Sequence, residues 1–221
     1  MISAQKEFRR EARPIRGKTL SPRELVRRFT LEEFAEISHS LPDERLELID
    51  GEIVMAPPPD DFHIKHTIAI EDLLNDHRLE IRALGCSAVG SGVWYAVPVA
   101  LKEKWVEAGV NGPNYVCPDA SVCFTDYLES KRTPPALLVV EVLSISQQSE
   151  IHRDLVSKPN IYATLRIPSY WVLDRRDRSV WVHTAPEDGK YTHRGQFKGR
   201  KKLPAPGLEF LAITPAQIFP T

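Results

Sequence analysis

The stretch Leu137-Leu138-Val139-Val140-Glu141-Val142-Leu143 constrains the fold of this chain more than any other. Six aliphatic residues surround one carboxylate. A continuous apolar run of this length reads as a strand buried on both faces in the middle of a sheet. A lone ionised glutamate placed there costs several kcal/mol unless something pairs with it. Glu141 therefore calls for a partner: an arginine, a lysine, a helix N-terminus or a metal ion. The plainer alternatives are a structural salt bridge or a glutamate at a frayed strand end.

A second carboxylate changes the balance. In Val116-Cys117-Pro118-Asp119-Ala120-Ser121-Val122-Cys123-Phe124 a strand is expected, its proline near the start, with Cys117, Asp119, Ser121 and Cys123 alternating against Val116, Pro118, Ala120 and Val122. Asp119 is either a turn residue after the proline or the companion of Glu141 on a neighbouring strand. Two carboxylates brought to one point repel unless a divalent cation lies between them. Hard oxygen ligands suit Mg²⁺ or Mn²⁺, and such an ion polarises a phosphodiester and activates water. A nearby cation would stabilise the charge that phosphodiester cleavage develops. Lys158 is the candidate, placed at the start of a helix expected to be capped by Ser157 with Pro159 in its first turn, where free N–H groups also favour anions. The bland alternative is a surface lysine.

Elsewhere Thr30 and Glu33 predict a capping box opening the helix LEEFAEIS. Asp50-Gly51 predicts a tight hairpin inside RLELIDGEIVMA. Apolar residues recurring from Ile64 to Ile81 predict one long helix from His63 to about Leu84, ending at Gly85. SYWVLDRRDRSVWVHT reads as a hairpin, and LPAPGLEFLAITPAQIF as a last strand and a short helix.

Taken in order, these blocks resemble the PD-(D/E)XK nucleases, and more closely the Uma family of restriction endonucleases. RLELIDGEIVMAPPP followed by His63, then VCPDASV, then LLVVEVLSIS with Asp154, Lys158 and Tyr162, then IPSYWVLDRRDRSVWVH and the C-terminal block carry the resemblance, over about residues 30–221. It implies a mixed α/β fold with an αβββαβ restriction-endonuclease-like core and additional hairpins. It implies Asp119 and Glu141 as metal ligands, with Glu47 as a further acidic ligand, although Glu47 by its own pattern is an alternating hairpin position that faces water. The third position of the (D/E)xK element is Leu143, and the resemblance implies that its lysine has moved to Lys158. Residues 1–28 read as an N-terminal extension and 29–221 as the nuclease domain.

The expected activity is therefore Mg²⁺-dependent cleavage of DNA, with Mn²⁺ as a substitute and a homodimer as the arrangement that cuts both strands. The alternative is a nuclease fold without catalysis, serving as a DNA-binding or protein-interaction module. A net charge of −1 offers no global attraction for DNA, so contact falls to local groups: Arg9 to Lys18, Lys131 with Arg132, Arg175 with Arg176 and Arg178, and Lys198 to Lys202. Each of these is also readable as a solvated turn. Three scattered cysteines form no disulfide framework and point to a reducing, cytoplasmic setting. The absence of an 18-residue apolar run leaves no membrane span. No HExxH, GxSxG or phosphate-loop motif is present. His63 reads as a site residue or a surface histidine, Asp154 as a helix cap or a partner of Lys158, and Tyr162 as core or site.

Overall fold

Asp50 and Gly51 adopt φ values of 53° and 78°, and positive φ at both central residues is what a type I′ turn requires. The turn joins β1 (Leu46–Ile49) to β2 (Glu52–Met55), with Ile49 opposite Glu52. The computed structural model describes residues 28–56, 58–97, 112–127, 132–145 and 148–220. The basic run Arg9 to Lys18, most of the 101–115 insertion and Lys131 lie outside the described residues.

Helix α1 (Leu31–Ser40) begins at the expected capping box: the Glu33 N–H donates to Thr30 Oγ1 at 3.2 Å, and the Thr30 N–H donates to Glu33 Oε2 at 3.0 Å. Thr30→Ala is expected to remove about 1 kcal/mol of stability, read as a lowered Tm. The helix lays Phe34 on Leu46 and Leu48 of β1. On its other edge β1 pairs with β5 (Tyr115–Val116), which pairs with β4 (Tyr95–Ala96), giving a small antiparallel sheet in the order β2-β1-β5-β4.

The larger sheet has the order β10-β9-β8-β7-β6-β3, built from β3 (Cys86–Gly90), β6 (Ala120–Phe124), β7 (Ala136–Val142), β8 (Ser169–Asp174), β9 (Ser179–Glu187) and β10 (Lys190–Lys198). Its β7–β8 pair is parallel and the others are antiparallel. A parallel pair needs a crossover, and residues 148–164 supply it as a helix. One face buries Val122, Leu138, Val140 and Trp171 under Ile70, Leu74, Ile81 and the C-terminal segment; the other buries Val139, Leu143, Tyr170 and Val172 against Ile161, Tyr162 and the small sheet. The expected αβββαβ order is present as α2 (Asp61–Asn75), β3, β6, β7, the crossover helix and β8.

Four local expectations are corrected. The helix from His63 to Leu84 is two helices, α2 (Asp61–Asn75) and α3 (Arg78–Ala83). The break falls at Asn75-Asp76-His77, polar residues that compete for backbone groups, and it lets Leu74 and Ile81 both reach the sheet while Ile64, Ile68 and Leu79 stay exposed. VCPDASVCF is not one strand: β5 ends before Cys117-Pro118-Asp119 and β6 begins after it, in the other sheet. Pro118 lacks the N–H that a continuing ladder needs. The segment 203–213 is not a strand, since Pro204 and Pro206 remove donors, though Leu203, Leu208, Leu211 and Ile213 are buried. Strand β10, which the sequence reading left without an element, is a mostly exposed edge with little apolar pattern to find.

The crossover is the fourth. It runs as α4 (Gln148–His152), a π-helical turn (Arg153–Ser157) and α5 (Lys158–Thr164). Lys158 and Pro159 thus lie inside a continuous helix, and Ser157 makes no cap bond. The wide turn makes the proline tolerable. The Lys158 N–H donates to the Arg153 carbonyl, five residues back. The next carbonyl in that pattern, of Asp154, would take a donor that Pro159 lacks, and instead accepts from the Tyr170 hydroxyl at 2.7 Å. Tyr170→Phe leaves that buried carbonyl unpaired and is expected to cost about 1–3 kcal/mol, measurable by urea denaturation. Among the described residues no helix is long and apolar enough to cross a membrane, and Cys86, Cys117 and Cys123 are free and buried.

Candidate active site

Strand parity places the carboxylates. Along β7, Leu138, Val140 and Val142 face the α2 side, so Glu141 faces the crossover helix with Val139 and Leu143. On the adjoining strand, Asp119 has the same parity as Ser121 and Cys123 and emerges on that face. Its N–H continues the ladder to the Val140 carbonyl at 3.1 Å. With no residue beyond Pro118 to pair the end of β7, Asp119 Oδ2 folds back and accepts from the Val142 N–H at 2.7 Å.

Glu47 arrives from the small sheet. Leu46 and Leu48 meet α1, so Glu47 and Ile49 point at the larger sheet, and β1 is buried on both faces. Glu47 therefore does not face water as its hairpin pattern suggests: it is 2% exposed, and its Oε1 accepts from the Cys117 N–H at 3.0 Å. The tripeptide Cys117-Pro118-Asp119 thus links the sheets and binds both acids.

Lys158 hangs from the crossover helix into this group. Its Nζ lies 2.7 Å from Glu141 Oε1, 3.1 Å from Glu47 Oε1 and 3.9 Å from Asp154 Oδ1. One turn on, the Tyr162 hydroxyl donates to the same Glu141 oxygen at 2.7 Å, so Tyr162 is both a core side chain and a site residue. Asp154 caps nothing; it is buried, faces Lys158 and pairs with Arg153 at 3.0 Å. His63, in the first turn of α2, places Nε2 3.0 Å from Asp119 Oδ1, and Arg45 reaches the same oxygen at 3.3 Å and the Cys117 carbonyl at 2.8 Å.

The four residues singled out in the sequence, Glu47, Asp119, Glu141 and Lys158, line one cavity of about 190 Å³ together with His63, Arg45 and Arg153. The two arginines were missed. For Arg45 the signal was available, since in Arg45-Leu46-Glu47 it shares the parity of Glu47. The surface clusters are largely paired among themselves: Arg175 with Asp60, Arg176 with Asp174, Arg132 with Asp126 and Lys198 with Asp177. Of these, Arg175 also lines the cavity.

Protonation follows from crowding. Burial, followed by the charges of Asp119, Glu47 and Asp154, raises the Glu141 carboxyl to about 8 against the opposing pull of Lys158. Lys158 remains an ammonium: burial works against its charge, but Glu141, Glu47 and Asp154 outweigh it and raise its pKa. Burial disfavours the Asp119 carboxylate, yet the hydrogen bond and charge of His63, Arg45 and the Val142 N–H lower its pKa overall. The same contact raises His63 despite its burial.

Carboxylate oxygens are the right donors for Mg²⁺ or Mn²⁺. Their spacing is set at present by the chain's own cations: Lys158 spans Glu47 and Glu141, while His63 and Arg45 share Asp119. Among the described residues no three His, Cys, Asp or Glu side chains stand in a metal-holding arrangement. The donor set fits such an ion in its chemistry.

Comparison with known proteins adds two findings. The family model Uma2, described as "Putative restriction endonuclease", matches residues 31–216. The crystal structure of a putative nuclease belonging to DUF820 from Anabaena variabilis ATCC 29413 superposes with a TM-score of 0.60 at 18% identity, covering 86% of this chain and 97% of that one. That likeness establishes a restriction-endonuclease-like fold. No curated protein matches the chain.

Proposed function

The chain belongs to the Uma2 family, and from that premise we propose that it is a metal-dependent endonuclease hydrolysing DNA phosphodiester bonds. One observation carries the reading: carboxylates from two sheets and a buried ammonium meet in a single cavity, with Lys158 within 3.1 Å of both Glu47 and Glu141. Nothing in the packing of β7 requires a carboxylate at 141, and the whole surround is shaped around it.

In this reading Asp119 and Glu141, with Glu47, hold Mg²⁺, or Mn²⁺ in its place. An ion held there would supply a Lewis acid for the phosphodiester and for its attacking water. Lys158 turns its ammonium from the carboxylates to the oxygens that gain charge. Tyr162 keeps Glu141 Oε1 occupied, which holds the carboxylate in one rotamer. Arg45, a cation throughout, stands beside the phosphate, and His63 orients Asp119 through its ring nitrogen. A homodimer would bring two such sites to the two strands.

The test is calorimetric titration of Mg²⁺ and Mn²⁺ into wild type and Glu141→Ala, with plasmid nicking on the same samples. Wild type is expected to bind metal and nick, and the variant to do neither. A wild type that binds DNA yet neither takes up metal at millimolar concentration nor nicks would make the chain a binding module with a structural ion cluster.

A further inference from the structure

Beside the catalytic cavity lies a larger hollow of about 760 Å³, within the roughly 300–1,000 Å³ that small ligands fill. The β1–β2 hairpin forms one wall and the start of the crossover helix, including Ser149, the other. Five residues line both hollows, so the two adjoin across a shared wall: Arg45, Ala56, Pro58, Pro59 and Arg153.

The two arginines stand at that junction. Arg45 has its Nε buried without a hydrogen-bond partner among the described residues, and its contacts to Asp119 are long, at 3.3 and 3.4 Å. Arg153 turns Nε to Asp154. Two guanidinium groups with donors to spare suit a phosphate. The rest of the lining includes Ile49, Val54 and Met55, and carboxylates, among them Asp43, Glu44 and Glu52, that outnumber its one further arginine, Arg28. Those carboxylates repel a phosphate backbone running the length of the hollow. A nucleobase meets no such repulsion, because its faces pack on apolar side chains and its amino groups donate to carboxylates.

We infer that this hollow receives the base of an unpaired nucleotide next to the scissile phosphate, with that nucleotide's own phosphate held between Arg45 and Arg153. The inference rests on the nuclease reading above and narrows its substrate. A base stacked and paired inside a duplex cannot enter, so the substrate is single-stranded or locally unpaired at the cut.

The experiment is fluorescence anisotropy with the full chain, in buffer with Ca²⁺ in place of Mg²⁺. The probes are a labelled short single-stranded oligonucleotide and the duplex of the same sequence. Met55→Glu replaces apolar surface on which a base face packs with a hydrated side chain, and Ser149→Glu fills space at the opposite wall; both positions are exposed, Met55 by 56%, and the core is left untouched. Wild type is expected to bind the single strand about tenfold more tightly than the duplex, and each variant to lose about tenfold on the single strand alone. Equal binding of the two probes, or variants that bind the single strand as wild type does, overturns the inference. If wild type prefers the duplex and still nicks plasmid with Mn²⁺, the occupant of the hollow is wrong and the nuclease reading stands. If it binds neither probe and nicks nothing, both fall.

Discussion

Lys158→Ala is expected to destabilise the protein by about 3–5 kcal/mol and to abolish nicking. The ammonium is 2% exposed and is the cation shared by Glu47, Glu141 and Asp154, each of them buried. Truncation leaves the carboxylates of Glu47 and Asp154 and the already raised carboxyl of Glu141 facing one another with no ammonium between them. The measurement is urea denaturation in EDTA, which separates the loss from metal binding. The double variant Lys158→Ala, Glu141→Gln should recover part of it, because residues of one network couple. A loss below about 1 kcal/mol would mean that water or a rotated side chain compensates the group and that the ammonium is not its keystone.

Glu141→Gln is expected to act in the opposite sense on stability while also ending catalysis. The amide oxygen still accepts from Lys158 and Tyr162, and Lys158 keeps Glu47 and Asp154 as counter-charges. What disappears is a carboxyl whose folded-state pKa, about 8, lies above its ordinary 4.5. A carboxyl raised in the folded state binds its proton more tightly there than in the unfolded chain. Its contribution is therefore present below about pH 4.5 and lost as pH rises towards 8. In EDTA, wild-type stability should fall more steeply across that window than the variant's, which keeps the slopes that His63 and Asp154, both raised, give to the two proteins alike. Above it the variant should be more stable by about 1–2 kcal/mol. Asp119 does not confound the comparison: its pKa is lowered, so its contribution holds above the ordinary aspartate range and is lost only as pH falls below it. Parallel pH profiles for the two proteins would show that Glu141 ionises freely and that its surround stabilises the charge outright.

The residues that were legible in the sequence share a reason. Glu141 stood out because a charge in an aliphatic run violates the pattern of its own strand, and Asp119 because a proline and an alternating strand flank it. The Asp50-Gly51 turn and the Thr30–Glu33 box are encoded within four residues and needed no tertiary information. Glu47 was not legible by pattern, since β1 is covered by α1 on one face and by the larger sheet on the other, and neither is visible in RLELI. The helix around Lys158 was misjudged for a related reason. Pro159 ordinarily marks a helix start, and only the hydroxyl of Tyr170, on the following strand, makes it acceptable in mid-helix. His63 and Arg45 depend on Asp119 for their meaning, so they acquire a role only once the two sheets are brought together.

The link at Cys117-Pro118-Asp119 also sets how the protein loses its function. Glu47 lies on one sheet with Arg45 just before it, Asp119 and Glu141 sit on the other, and the hydrogen bonds of the tripeptide to Glu47 and Arg45 cross the seam. A sub-global opening that releases the β1–β2 hairpin removes Glu47 and Arg45 from the site while the six-stranded sheet stays folded. Competence is then governed by the less protected of the two sheets, not by the free energy of complete unfolding. On heating, inactivation should run ahead of melting, and amides of β1 and β5 should exchange with deuterium on the timescale of that inactivation, while those of β7 and β8 remain protected.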